Sequence, residues 1–130
     1  MGKASTRAVV LDAGALIAFE RGDARMRALV REALKQRVRL VIPAGALGQV
    51  WRGAPRQVPL RGLVKGPTTV IPALDQVLAE AAGVLCGRAG TSDVIDASVV
   101  LVARREDGVV ITSDPDDLHR LDPGLPLERI

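Results

Sequence analysis

The feature that most constrains this chain is a set of four short apolar runs that do not alternate with polar residues. Arg7-Ala8-Val9-Val10-Leu11, Leu40-Val41-Ile42, Thr69-Val70-Ile71 and Val109-Val110-Ile111-Thr112 all lack the in-out pattern of a strand with one wet face. Runs of this kind suit strands covered on both faces, as in a parallel sheet. The intervals between them read as helices. Between Ala24 and Lys35, Met26, Leu29, Val30 and Ala33 recur at helical spacing while Arg27, Arg31 and Lys35 line another face. Pro43 opens a helix through Val50-Trp51-Arg52, and Pro55 fits the first turn of one reaching about Lys65. Ala73 to Cys86 and Asp93 to Arg105 complete the main helices, with Gly87 to Gly90 as the turn between them. Pro115 to Leu121 forms a short helix and Leu127 to Ile130 a final edge strand. Strand alternating with helix specifies an α/β fold, a three-layer α/β/α sandwich with a largely parallel sheet. The 130 residues fit one core, and so a single domain over residues 1–130.

Composition narrows the chemistry. Of the residues 48% are apolar, yet the only aromatic ones are Phe19 and Trp51, so the core is built from Val, Leu, Ile and Ala. Trp51 has no aromatic companions to form a base-stacking platform and reads as core or interface. Cys86, alone, forms no internal disulfide, which makes a reducing cytoplasm the expected location. It also lacks the basic partner a nucleophilic thiol needs, because the only histidine, His119, lies in a distant acidic segment and reads as a surface residue. No apolar run is long enough to span a bilayer and the N-terminus lacks a signal-peptide core, so a soluble chain with no membrane partner is expected. Met1-Gly2 with Thr6 matches a myristoylation pattern of few fixed positions, and it is discounted because Arg7 already leads into a buried strand. Charge is segregated: eleven of the eighteen basic residues lie between Arg21 and Lys65, opposed there only by Asp23 and Glu32. The chain can therefore offer a polyanion one surface and a cation another.

The acids fall where an open α/β sheet binds ligands, beyond the carboxyl ends of its strands. Asp12 directly follows the first apolar run; Asp114 follows the run ending at Thr112, with Asp117 three residues on. Asp93 and Asp96 are three apart at a helix start and share a face. Asp93, after Thr91-Ser92, also suits a capping role. Asp96 lies within a nearly apolar helix, where an unpaired carboxylate is expensive. Carboxylates converging with no lysine or arginine among them repel, and a cation relieves that repulsion. Hard oxygen donors suit Mg²⁺ or Mn²⁺, above all when substrate phosphates complete the shell. There is no glycine fingerprint after the first strand for a dinucleotide. A phospho-receiver is disfavoured as well, lacking paired acids at that strand and a suitable downstream lysine.

Three segments together, Val-Leu-Asp12-Ala-Gly-Ala-Leu-Ile-Ala, Thr91-Ser92-Asp93-Val-Ile-Asp96-Ala and Ile111-Thr112-Ser113-Asp114-Pro115-Asp116-Asp117-Leu118, resemble the successive motifs of PIN-domain ribonucleases. Their order, their spacing and the length of the chain are similar to those of VapC-type toxins of toxin–antitoxin pairs. The resemblance implies a metal-dependent endoribonuclease that leaves a 5′-phosphate and a 3′-hydroxyl, is inhibited by a cognate antitoxin and forms a homodimer. By position it implies Asp12, Asp96 and Asp114 as catalytic, metal-binding acids, with Asp93 and Asp117 as further metal-site acids. One departure stands out: where the family usually has glutamate before Val-Trp-Arg, this chain has Gln49. As an auxiliary site residue Gln49 keeps a carbonyl oxygen but not the charge, which implies weakened metal binding. Arg52, Arg56 and Arg61 follow closely and are candidate RNA-phosphate contacts. The competing expectation is a catalytically degenerate module of the same fold that binds RNA or an antitoxin.

Overall fold

The computed structural model describes residues 8–130; Arg7 and the Met1-Gly2/Thr6 pattern lie outside them. Within these residues five parallel strands, β1 (Ala8–Leu11), β2 (Arg39–Val41), β3 (Thr69–Val70), β4 (Val109–Thr112) and β5 (Leu127–Arg129), form one sheet in the order β3-β2-β1-β4-β5. The apolar runs thus become the strands the sequence predicts, and the final one is an edge. Among the described residues seven helices connect them: α1 (Ala13–Glu20), α2 (Ala24–Lys35), α3 (Ala44–Val50), α4 (Val58–Val64), α5 (Gln76–Ala89), α6 (Val94–Glu106) and α7 (Pro115–Leu121). A 3₁₀ turn, Pro55–Gln57, precedes α4. Among the described residues no helix is long and apolar enough to cross a membrane.

The strand order explains the layering. The chain steps outward from β1 to β2 to β3, then crosses back to place β4 on the other side of β1. Right-handed crossovers in opposite directions put their helices on opposite faces. One core joins Val10, Val41 and Val110 to α5, α6 and α7; a second joins Leu11, Leu40 and Ile111 to α1, α2 and α4. The result is the expected α/β/α sandwich. The reversal of direction between β1 and β4 opens the crevice where such sheets bind ligands.

Three boundaries differ from expectation, each for a local reason. Gly87 and Arg88 are not a turn; α5 continues to Ala89, and only Gly90, at φ +74°, leaves the helix. Glycine there takes the left-handed conformation without a Cβ penalty. The same helix starts at Gln76, because the Asp75 side chain accepts the Leu78 amide and fixes the N-cap. The helix before Trp51 stops at Val50, where Trp51 turns extended. No sequence signal marked α1, since Ala13-Gly-Ala-Leu-Ile-Ala-Phe is apolar around its whole circumference. It lies between the sheet and neighbouring helices, with Ala15, Leu16 and Phe19 buried.

Candidate active site

Strand register brings the acids together. Leu11 pairs with Ile111 across β1 and β4, so Asp12 and Thr112 emerge side by side at the sheet's carboxyl edge. Asp12, 7% exposed, caps α1: its Oδ1 accepts the Ala15 amide at 2.9 Å. Thr112, fully buried, bridges the two strand ends. Its hydroxyl bonds the Asp12 carboxylate while Oγ1 accepts the Asp114 amide at 2.9 Å. Gly14 allows the close approach, because a side chain there would collide with Ser113 Oγ. On the other flank Asp93 caps α6, accepting the Asp96 amide at 2.9 Å, and Asp96 faces inward from the first turn. Asp117 comes from the first turn of α7, which packs against α6.

The electrostatics show that these carboxyls share one field. Burial raises Asp12 above the ordinary carboxylate range, opposed by hydrogen bonds from Thr112 and the Ala15 and Gly14 amides. Asp96 is pushed up to about 7, first by burial and then by the charges of Asp93, Asp117 and Asp12. Asp114 is raised chiefly by sharing a hydrogen bond with Asp117, then by burial and by the neighbouring acids. Among the described residues no lysine or arginine forms an ion pair with any of the five. The expectation that no basic residue lies among them needs correction: Arg120 lines the ≈ 210 Å³ cavity formed by Thr91, Asp93, Asp96, Asp117 and Leu121.

Among the described residues no three acidic, histidine or cysteine side chains stand close enough to enclose a metal ion. The donors nevertheless fit a hard divalent cation by their chemistry. They are all oxygens, none of them is in an ion pair among the described residues, and two are raised by burial. Magnesium, which keeps several waters and binds through one or two carboxylates plus substrate phosphates, does not need a closed protein cage.

Gln49 stands apart from this cavity. It is exposed near the end of α3 and lines a separate ≈ 330 Å³ cavity with Ile17, Glu20, Arg21, Val50, Arg52 and Arg56. The Arg52 guanidinium donates to the Gly48 and Trp51 carbonyls, Arg56 pairs with Glu20 at 3.3 Å, and Arg61 lies over half-buried Trp51, 5.9 Å from the ring centroid. His119 is exposed on α7 and does not line the acid cavity. Cys86 is buried, and burial together with the charges of Asp93 and Asp96 pushes its thiol up, away from nucleophilic use.

Thr112, Gly14 and Arg120 escape a sequence reading focused on acids. Thr112 does leave a signal, as the hydroxyl that ends an otherwise apolar strand two residues before Asp114. Arg120 leaves none, because only the packing of α7 on α6 brings it to the cavity.

A model of the PIN domain matches residues 9–123. Comparison with curated proteins finds no match. Among solved structures the chain is similar to VapC20 of Mycobacterium tuberculosis, described as a sarcin-ricin loop cleaving toxin, at 18% identity and TM-score 0.72, covering 95% of this chain and 100% of that one. VapBC2 of Rickettsia felis, solved with a promoter DNA fragment, aligns at 15% identity and TM-score 0.72 over 95% and 98% of the two chains. FitAcB of Neisseria gonorrhoeae aligns at 13% identity and TM-score 0.62 over 92% and 95%.

Proposed function

Because the chain belongs to the PIN-domain family, we propose that it is a metal-dependent endoribonuclease of the VapC toxin type. The observation that carries this reading is the convergence of Asp12, Asp96, Asp114 and Asp117 in one electrostatic field at the crevice between β1 and β4, with no ion-paired base among the described residues. In the proposed reaction a water oxygen bonds to phosphorus and the P–O3′ bond breaks. The water's proton ends on the departing 3′ oxygen, leaving a 5′-phosphate and a 3′-hydroxyl. A bound Mg²⁺ or Mn²⁺ would supply a lowered pKa for water and charge neutralisation at phosphorus.

The chain's own residues supply rigidity. Asp12 is held by the Ala15 and Gly14 amides of the first turn of α1 and by Thr112, which fixes its carboxylate at the carboxyl edge of the sheet. Asp96 and Asp114 approach from α6 and β4, with Asp93 and Asp117 adding negative charge. Arg52, Arg56 and Arg61 are proposed to hold RNA phosphates, and Arg56 must then exchange Glu20 for phosphate. The two-component VapBC2 assembly among the similar structures supports a cognate antitoxin as partner; a homodimer acting in the cytoplasm completes the proposed reading.

The reading as a degenerate binding module drew its case from Gln49. Gln49 lines the cavity of Arg52 and Arg56, while Asp93, Asp96 and Asp117 line another, and activity of the wild-type chain decides between the two readings. The test is RNA cleavage by the purified chain with added Mg²⁺ or Mn²⁺. Asp12→Asn and Asp96→Asn are expected to lower the rate about 100-fold or more with the fold intact. Wild-type cleavage by either folded variant overturns the assignment, and an inactive wild type restores the degenerate module.

A further inference from the structure

The acid cavity is not the only opening at this edge. A ≈ 480 Å³ cavity runs along α1, with Gly14 and Ser113 at one end and Arg21 and Gly22 at the other. Gly14 and Ser113 are near neighbours of Asp12 and Asp114 in sequence, and the Cβ position of Gly14 lies 3.5 Å from Asp12 Oδ1. The cavity that holds Gln49, Arg52 and Arg56 also contains Ile17 and Arg21, so the two openings meet at these two residues. Together they make a trough that leads from the acids, along the exposed side of α1, to the end of α3.

We propose that this trough is the path of a single RNA strand, and that Arg21, at the junction of the two cavities, is a positioning residue that grips a phosphate between the acids and Arg52. The proposal rests on the ribonuclease reading above. Charge favours it. Among the described residues Arg21 and Arg52 pair with no acid, and Arg56 is the arginine Glu20 engages. Asp23, also on the wall, is turned to the Met26 amide at 2.8 Å as the cap of α2. The remaining wall is apolar or neutral, with Ile17 37% exposed, as a sugar and base edge require. The neutral amide of Gln49 adds hydrogen-bonding capacity with no charge to repel phosphate. Length fits too: from Asp12 to Arg21 is about 14 Å at helical rise, the span of about four stacked nucleotides. Arg21 is placed firmly, because its amide closes α1 on the Ile17 and Phe19 carbonyls and Gly22, at φ +81°, turns the chain away behind it.

The test uses full-length Asp12→Asn protein and a fluorescent single-stranded RNA of mixed sequence, with affinity measured over a range of salt concentrations. Adding Arg21→Ala is expected to weaken binding about 5- to 10-fold and to reduce the log–log salt slope by about 0.7, the loss of one phosphate contact. Arg21→Lys retains most of both. Arg31→Ala, on the exposed face of α2 outside the trough, leaves both unchanged. In the otherwise wild-type chain Arg21→Ala raises KM with little change in kcat or in half-saturating Mg²⁺. Unchanged affinity and slope in Arg21→Ala overturn the proposal, as does an equal loss in Arg31→Ala, which would mean diffuse attraction. Failure of the parent to bind the RNA overturns it too. Loss of binding to an acidic partner protein with RNA binding intact would reassign the trough to that partner. Failure of the ribonuclease reading is recognised separately, by a wild-type chain that cleaves no RNA with any metal.

Discussion

Two buried polar regions of this molecule solve opposite problems. Gln57, fully buried, has every polar atom engaged: its Nε2 donates to Glu20 Oε1 and to the Val50 carbonyl, both at 2.8 Å, and its Oε1 accepts the Arg52 and Gly53 amides. At the other end of α1, at the sheet edge, Asp12 is nearly as buried but shares its surroundings with Asp96 and Asp114, and their charges oppose one another. The difference separates architecture from chemistry. Satisfied polarity ties the end of α1 to the loop after α3, whereas unrelieved like charge is tolerated only where something else is to bind.

The sharpest way to break that comparison is to remove both kinds of group and compare stability. Gln57→Leu strands the Arg52 and Gly53 amides and deprives Glu20 of a donor, so it is expected to destabilise the chain by about 2–4 kcal/mol, read by urea unfolding. Asp12→Asn should cost far less without metal, because it removes a repelling charge and keeps an oxygen that can accept the Ala15 amide. Equal losses in the two variants would show that the acid cluster is as architectural as Gln57.

A smaller effect sharpens the same contrast through pH. Asp96 titrates at about 7 in the folded chain, raised from 3.8. A carboxyl raised on folding stabilises the folded state least when ionised, so its contribution is lost as pH climbs from about 4 to about 7. Without metal, Asp96→Asn is therefore expected to be more stable than wild type at pH 8. The gain should be on the order of 1–2 kcal/mol, discounted because the carboxyl is only half buried, and it should vanish near pH 4. A wild-type chain that gains stability relative to Asp96→Asn between pH 5 and 8 would reverse the sign and remove the strain from the account.

The sequence made the sheet and the acids legible for one reason: both follow from local pattern. Val9-Val10-Leu11 and Val109-Val110-Ile111 can only be strands covered on both faces, and the residue after each lies at the carboxyl edge whatever the helices do. The range of α2, Ala24–Lys35, was equally readable because its basic and apolar faces are cleanly divided. Helix α1 was not, since a helix apolar nearly all round has no polar face to mark it. The setting of Gln49 was legible only in part. The resemblance put it beside the acids and the sequence beside Arg52 and Arg56; in the fold it is exposed near the end of α3 and lines a cavity with those two arginines. Gln57 gave no sign at all, because a lone glutamine between Arg56 and Val58 looks like surface until the folded chain brings Glu20 and Val50 to it.

The central claim, that the acids at the crevice between β1 and β4 form a cation site, is tested most directly by thermal unfolding of the full chain during titration with Mg²⁺ and Mn²⁺, compared with Asp12→Asn. A ligand that binds only the folded state at 100 times its Kd adds about 2.7 kcal/mol. The account predicts a midpoint that rises with metal concentration in wild type and rises much less in Asp12→Asn. Equal rises in both proteins, or no rise in wild type at millimolar metal, would contradict it.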